Sequence, residues 1–242
     1  MSEAHGESAG ATESAIVDAF VAPVCDESFE ILYQDGDILL INKPSGLLSL
    51  SGKNPLNRDS VHYRLVTGQK DVTAAFPEAK LPHRLDFGTS GIMVVGLNAA
   101  SSRQLNRQFQ ARSVQKGYLA MLDGWVADDQ GRFSAAIAKD SELFPKVKIC
   151  NMIGKTAVTD YKVLRRLERP RRSLVQFSPL TGRTHQLRIH SQAMGHPILG
   201  CDLYKNDYSE QMSDRLLLHA NVLFFKHPTG GEMIQGQCPC PF

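Results

Sequence analysis

The chain has 242 residues, of which 42% are hydrophobic and 21% are charged, so it suits one large or two small globular domains. No stretch approaches the ~18 apolar residues that a membrane span requires, and the N-terminus lacks the pattern of a secretory signal. The five cysteines are scattered and do not form a disulfide framework. We therefore predict a cytoplasmic protein with reduced thiols and no contact with a membrane.

Charge is distributed unevenly along the chain. Residues 1–27 contain six acidic and no basic residues, so residues 28–242 hold all 27 Lys and Arg against 19 acidic residues, a net charge of +8. A basic body favours a polyanionic partner such as nucleic acid, although solubility alone would also account for it. We predict that residues 1–27 form an acidic, disordered tail and that residues 28–242 form the folded domain.

The hydrophobic pattern predicts more strands than helices. The first element is a β-hairpin over residues 31–42, with Asp35-Gly36 in a tight turn that needs positive φ angles. The other predicted elements are a short helix capped by Asp59 or Ser60 and ending at Val66, a buried strand over 92–97, a helix over 99–112 capped by Asn98, strands over 117–126, 159–167 and 173–179, and a helix over 184–194. Strands in hairpins predict an α+β fold with a largely antiparallel sheet.

Chemically capable side chains cluster in the turn before the strand at 92–97. His83, Arg84, Asp86, Thr89 and Ser90 all lie there. A neighbouring arginine keeps an aspartate ionised, and an ionised carboxylate suits a nucleophile or a group that stabilises positive charge. The same residues also fit an ordinary turn in which Asp86 only accepts backbone hydrogen bonds.

Two further segments have open interpretations. On a helix over 184–194, Leu187 and His190 share a face with Arg183 at the helix start, which indicates either a partner for a carboxylate or a core-facing stripe. Five arginines within residues 165–172 either bind phosphates or form a solvated hairpin tip. Templates for a nucleophile elbow, a phosphate-binding loop and a zinc deaminase are missing from the sequence.

Several segments together resemble the motifs of the RluA family of pseudouridine synthases. They are INKPSGL at 41–47, HRLDFGTSG at 83–91, KGYLA at 116–120, GRTHQLRIH at 182–190 with GHPILG at 195–200, and LLHA at 217–220. The resemblance implies a pseudouridine synthase fold, in which a mixed, largely antiparallel sheet flanked by helices surrounds a central RNA-binding cleft. It makes residues 28–242 the catalytic domain, and the stretch before Phe29 is too short for the S4 RNA-binding domain of several members.

The resemblance also implies a reaction that needs no cofactor and no metal. Uridine in RNA is isomerised by cleaving the bond between N1 and C1′, turning the base and rejoining it through C5. Asp86 is then the catalytic carboxylate, Tyr118 stacks on the uracil and takes the C5 proton, and Arg183 pairs with Asp86 to hold it ionised. Cleaving the glycosidic bond builds positive charge on the sugar, which a carboxylate stabilises.

The remaining site residues are assigned to substrate binding by the same resemblance. Leu187 packs on the base, Arg84 fills the space left by the flipped uridine, and Lys43 supports the site or the RNA backbone, while His83 and Thr89 complete the set. Flipping costs least in a loop, and the compact chain resembles dual-specificity members that act on stem-loops of 23S rRNA and of the tRNA anticodon. We expect a monomer.

Two other functions remain open from the sequence. One is a non-catalytic RNA-binding or chaperone module on the same fold, and the other is a small-molecule hydrolase that uses Ser90 or a histidine cluster. The sequence also departs from the family pattern at Cys201, where an aspartate is expected directly after Leu199-Gly200. This departure concerns substrate choice more than chemistry.

Overall fold

The computed structural model describes residues 20–69 and 74–242. Of the tail predicted to be disordered, residues 1–19 lie outside the described residues. The strands are β1 (Glu30–Gln34), β2 (Ile38–Lys43), β3 (Ser90–Gly96), β4 (Gln115–Asp123), β5 (Gln130–Lys139), β6 (Val147–Ile149), β7 (Lys155–Leu167), β8 (Arg172–Pro179), β9 (Leu218–Lys226) and β10 (Met233–Gln237). The α-helices are α1 (Val61–Thr67), α2 (Ala99–Gln110) and α3 (Gln186–Ala193), and Pro55–Asn57 form a 3-10 turn.

Residues 20–27 form no helix or strand but contact the folded body. The side-chain amide of Asn57 accepts a hydrogen bond from the Ala22 N–H at 2.8 Å and donates one to the Phe20 carbonyl at 2.7 Å. Arg64 on α1 donates to the Cys25 carbonyl at 2.5 Å. These bonds hold the segment against the domain that starts at β1.

The described strands form one sheet in the order β1-β2-β3-β9-β4-β8-β7-β5-β6, and β10 also pairs with β9. Within the described ranges, β3 and β9 are the one parallel pair, and every other pairing is antiparallel. The predicted α+β fold with a largely antiparallel sheet is therefore confirmed. No helix in the described part of the chain is long and apolar enough to cross a membrane.

The contact between β3 and β9 requires a glycine. Gly91 has a φ of +117°, and a Cβ atom there would lie 2.1 Å from the carbonyl oxygen of Ala220 on β9. Because glycine alone takes this φ without penalty and leaves that space free, the two strands approach closely at the start of β3. The turn that carries Asp86 is thereby held at the middle of the sheet.

Two buried apolar clusters form the core, one around β1–β3 and one around β7, β8 and α3. Tyr118 on the central strand β4 packs against both clusters. The Tyr118 side chain is therefore held in place by packing against both parts of the core.

The prediction of a primed turn in the first hairpin is wrong. Gly36 does not have a positive φ. Instead the Asp35 carboxylate accepts hydrogen bonds from the N–H groups of Asp37 and Ile38, each at 2.8 Å, so the side chain closes the turn. The strands themselves, β1 and β2, pair as predicted.

The pattern-based elements agree with the structure where their periodicity is strong. Ser60 caps α1, and Asn98 caps α2. Strands β5 and β6, which were not predicted from the sequence, pair with each other and with β7 through β5. The first six residues of β5 alternate between exposed and partly buried positions, and two of the three residues of β6 are exposed, so the apolar signal that marks a strand is weak.

Candidate active site

A cavity of about 490 Å³ lies at the centre of the sheet, where the turn before β3, strand β4 and the segment before α3 meet. Seven of the eight predicted site residues line it, and the exception is Lys43. The seven are His83, Arg84, Asp86, Thr89, Tyr118, Arg183 and Leu187. Segments distant in sequence are therefore brought together as the resemblance implied.

The turn that carries Asp86 is fastened to the loop after β2. The Ser49 hydroxyl donates to the Leu85 carbonyl at 2.7 Å and accepts from the Leu85 N–H at 3.1 Å. On the other side of Asp86, the Gly46 N–H donates to the Phe87 carbonyl at 3.0 Å. The backbone groups of both neighbours of Asp86 are thus fixed by hydrogen bonds, which orient the carboxylate without contacting it.

Lys43 lies beneath this turn and is fully buried. Its ammonium donates to the carbonyls of Pro44, Leu47 and Phe87, at 2.8, 2.7 and 3.2 Å. Burial lowers the pKa of Lys43 to about 7, although the nearby Asp86 carboxylate acts in the opposite direction. A buried ammonium that binds three carbonyls fits support of the site, and its burial does not fit contact with the RNA backbone.

Tyr118 reaches the cavity from the central strand β4. Burial, with the added effect of the Asp86 carboxylate, raises the pKa of its phenol well above the usual range. The side chain is therefore a neutral phenol at physiological pH, with an aromatic face and a hydroxyl near the carboxylate.

Arg183 lines the cavity but does not bind Asp86. Its guanidinium Nε donates to the Thr156 carbonyl at 3.1 Å, and no ion pair joins it to Asp86 within the described ranges. The helix predicted over residues 184–194, directly after Arg183, starts later than predicted. Because His185 adopts a left-handed conformation, with φ 53° and ψ 19°, α3 begins only at Gln186.

Arg188, which no sequence pattern singled out, is the buried cation of the cavity. Its guanidinium contacts the Asp202 carboxylate and lies 3.4 Å from the Cys201 sulfur. Burial lowers the pKa of Arg188, but Cys201, Asp202 and Asp86 raise it by more. Arg188 thus supplies a fixed positive charge near Asp86, and Cys201, at the position where the sequence analysis expected an aspartate, lies beside it.

His83 is a neutral imidazole that holds the turn in place. Its Nε2 accepts a hydrogen bond from the Val94 N–H at 3.1 Å, and its ring stacks on Phe109 with centroids 4.6 Å apart. Burial, with the Lys116 charge, lowers its pKa to about 3. Thr89 is buried, and its hydroxyl has no hydrogen-bond partner within the described part of the chain, whereas Arg84 is exposed at the rim.

The cavity is strongly positive. Asp86 is its one acidic lining residue among those described. The basic residues that line it are Arg84, Arg112, Lys116, Arg183 and Arg188. Such a surface attracts a polyanion while leaving a single carboxylate for chemistry.

Ser90 and its histidine partner do not form a hydrolase site. The Ser90 hydroxyl lies 2.8 Å from His219 Nδ1 and accepts a hydrogen bond from Arg215. Ser90 and His219 are both buried, at 3% and 1% exposure, and neither lines the cavity. Because a nucleophile must reach its substrate, this arrangement contradicts the hydrolase alternative.

The arginine-rich segment is the tip of the β7–β8 hairpin, which is one of the two interpretations that the sequence left open. Arg166 binds Asp129 and the Val126 carbonyl, and the Arg171 guanidinium lies 4.7 Å from the centre of the Trp125 ring. Two of the five arginines therefore take part in contacts within the protein.

The family model for RNA pseudouridylate synthases matches residues 37–193. A solved structure, human RNA Pseudouridylate Synthase Domain Containing 1, superposes with a TM-score of 0.72 at 34% identity, covering 91% of this chain and 86% of that one. The chain belongs to the RNA pseudouridylate synthase family and is an isomerase that makes pseudouridine in RNA.

Curated relatives define the subgroup. The chain is 44% identical to the dual-specificity RNA pseudouridine synthase RluA of Yersinia pestis over 212 residues. This match covers 88% of this chain and 99% of the relative. The chain is 41% identical over 212 residues to the protein of the same description from Escherichia coli K12, covering 88% and 93%. The predicted family and enzymatic activity are confirmed, and the comparisons give no support to a non-catalytic module.

Proposed function

We propose that the enzyme isomerises specific uridines in structured stem-loops of 23S rRNA, of the tRNA anticodon, or of both. The observation that carries the proposal is the cavity in which five basic side chains surround the single carboxylate of Asp86. The description of the relatives as dual-specificity enzymes supports two RNA targets. We further propose that the chain acts as a monomer in the cytoplasm.

Asp86 is the catalytic carboxylate in this proposal. It acts where positive charge develops on the ribose as the N1–C1′ bond breaks, by attacking the sugar, attacking the base or removing a sugar proton. The hydrogen bonds that fix Leu85 and Phe87 support this role, because a preorganised charge need not reorient during the reaction.

Tyr118 and Leu187 hold the base between them. The Tyr118 ring stacks on the uracil, and its hydroxyl takes the C5 proton after the base has turned. The neutral state of the phenol supports the stacking, because an aromatic face next to a carboxylate is best kept uncharged. A neutral phenol accepts a proton only as it gives up its own, so the hydroxyl passes its proton on to N1, which gains one in the reaction, as it takes the proton from C5. Leu187 contributes an apolar contact from the first turn of α3.

The charged residues bind the RNA and place positive charge next to the Asp86 carboxylate. Arg84, exposed at the rim, fills the space left by the flipped uridine. Arg183 pairs with Asp86 only when RNA is bound, which requires it to leave the Thr156 carbonyl, and Arg188 supplies the nearby positive charge in the free enzyme. Lys43, with His83 and Thr89, supports the turn from below.

The test is the release of tritium from stem-loop RNAs labelled at uracil C5. We expect wild-type protein to release tritium from the rRNA stem-loop, the anticodon stem-loop or both, and Asp86→Asn to release none while it binds the same RNA within a few-fold of wild type. Normal turnover by the Asn variant would refute the role of Asp86. Release from neither RNA would refute the proposed substrates, and pseudouridine mapping of total RNA would then show the true target.

A further inference from the structure

His185 has an unusual backbone conformation for its position. It directly precedes α3, in the left-handed region at φ 53° and ψ 19°, and its side chain makes no capping hydrogen bond. A non-glycine residue in this region is strained, and such strain persists where the surroundings fix the side chain. The ring lines the same cavity as Asp86, so its orientation bears on the substrate.

Tyr204 fixes which ring nitrogen of His185 carries the proton. The Tyr204 hydroxyl accepts a hydrogen bond from the Val147 N–H at 2.7 Å, because a backbone N–H can only donate. The same hydroxyl lies 3.0 Å from His185 Nδ1. Tyr204 is buried at 3% exposure, so its own proton requires an acceptor, and Nδ1 provides it. The His185 proton therefore sits on Nε2.

The imidazole is also neutral. Burial lowers the pKa of His185, Arg188 and Arg84 act in the same direction, and the attraction of Asp86 and Asp202 offsets this effect only in part. A neutral ring with Nδ1 engaged by Tyr204 has one remaining polar group, the Nε2–H donor. That donor has no hydrogen-bond partner within the described part of the chain.

We propose that the Nε2–H of His185 donates a hydrogen bond to a carbonyl oxygen of the target uracil. When the N1–C1′ bond breaks, its electron pair stays on the uracil, and negative charge spreads to O2 and O4. When C5 bonds to C1′, an electron pair of the uracil forms the new bond and the negative charge is removed; the C5 proton then leaves and N1 takes up a proton, which leaves the net charge unchanged. A neutral imidazole donor placed at such an oxygen stabilises the charged state.

This inference rests on the proposed uridine chemistry at Asp86 but adds a group to it. The cations of the cavity bind the RNA phosphates, whereas the neutral Nε2–H of His185 donates a hydrogen bond to the base. If the oxygen is O4, the same contact also distinguishes uracil from cytosine, which has an amino group there and cannot accept the bond.

The test compares His185→Met with His185→Gln in a stem-loop RNA that the wild-type enzyme modifies. The two side chains are close in size, but only Gln retains an N–H donor near the Nε2 position. We expect the single-turnover rate constant to fall by about 100-fold in the Met variant and to be restored at least tenfold by Gln, while RNA affinity stays within a few-fold. His62→Met, on α1 outside the cavity, is the control for loss of a histidine.

The substrate supplies the second half of the test. RNA with 2-thiouridine or 4-thiouridine at the target weakens one carbonyl acceptor at a time. We expect one of the two to slow the wild-type enzyme and to slow His185→Met no further, since partners in one contact are non-additive. Equal rates for the Met and Gln variants, or effects that add for both thio substitutions, would overturn the inference. Failure of the wild-type enzyme on the chosen RNA would instead count against the proposed substrate, and the variants are then compared on the RNA that mapping identifies.

Discussion

Replacing Lys43 with methionine tests how the site is held. The substitution removes the ammonium that binds the carbonyls of Pro44, Leu47 and Phe87. Leaving buried carbonyls without a donor costs about 1–3 kcal/mol for each group. Because Phe87 directly follows Asp86, we expect the Met variant to lose stability and also to lose at least tenfold in the rate of tritium release.

The pH dependence of this effect has a definite sign. The pKa of Lys43 is lowered from 10.5 to about 7 in the folded protein, so between these values the unfolded chain holds the proton and the folded chain does not. The free energy of unfolding then rises with pH, by about 1.4 kcal/mol per pH unit. Relative to the Met variant, wild type should gain about 2 kcal/mol between pH 7 and pH 9, with little change below pH 7.

Urea unfolding of both proteins across this pH range measures the difference directly. Lys53→Met, at an exposed lysine, is the matched control and should track wild type. The three carbonyl contacts oppose deprotonation, because a neutral amine has only two N–H groups. A stability difference that stays flat from pH 7 to pH 9 would show that these contacts dominate and would refute the depressed pKa.

Three further outcomes follow from the structure. Gly91→Ala should destabilise the protein by more than about 4 kcal/mol, because its Cβ would lie 2.1 Å from the Ala220 carbonyl oxygen; a mild shift in thermal unfolding would contradict the close β3–β9 contact. Arg112→Ala, at the exposed rim of the cavity, should lower the slope of log affinity against log salt by about 0.7–0.9 for each RNA phosphate that the arginine neutralises, and an unchanged slope would remove Arg112 from the RNA path. Tyr118→Phe keeps the stacking ring, so RNA affinity should hold while C5 tritium release slows about 100-fold; release at the wild-type rate would show that another group takes the proton.

Much of the site could be predicted from the sequence because its parts are short, contiguous motifs. The turn at residues 83–91, the tyrosine at 118 and the segment at 182–190 each carry their own residue pattern. Seven of the eight predicted residues line one cavity. Pairings between motifs were harder to predict: Arg183 binds a backbone carbonyl, while Arg188, five residues later, is the buried cation near Asp86.

Local patterns by themselves determined the strongly periodic elements and their caps. The buried run of β3 and the capping residues Ser60 and Asn98 depend on interactions within a few residues of each other, so they are present in the sequence as local signals. The turn at residues 35–37 departs from its predicted type because the Asp35 side chain competes successfully with a glycine-based turn.

Only the tertiary structure decided which groups meet across long separations. The buried position of Lys43, the left-handed His185 and its bond to Tyr204 all depend on contacts between segments far apart in the chain. Such contacts set burial, and burial sets protonation, since removing water penalises a charged group. The sequence therefore determined the chemical groups and the class of enzyme, whereas folding determined which of those groups are charged, fixed and free to act on a uridine.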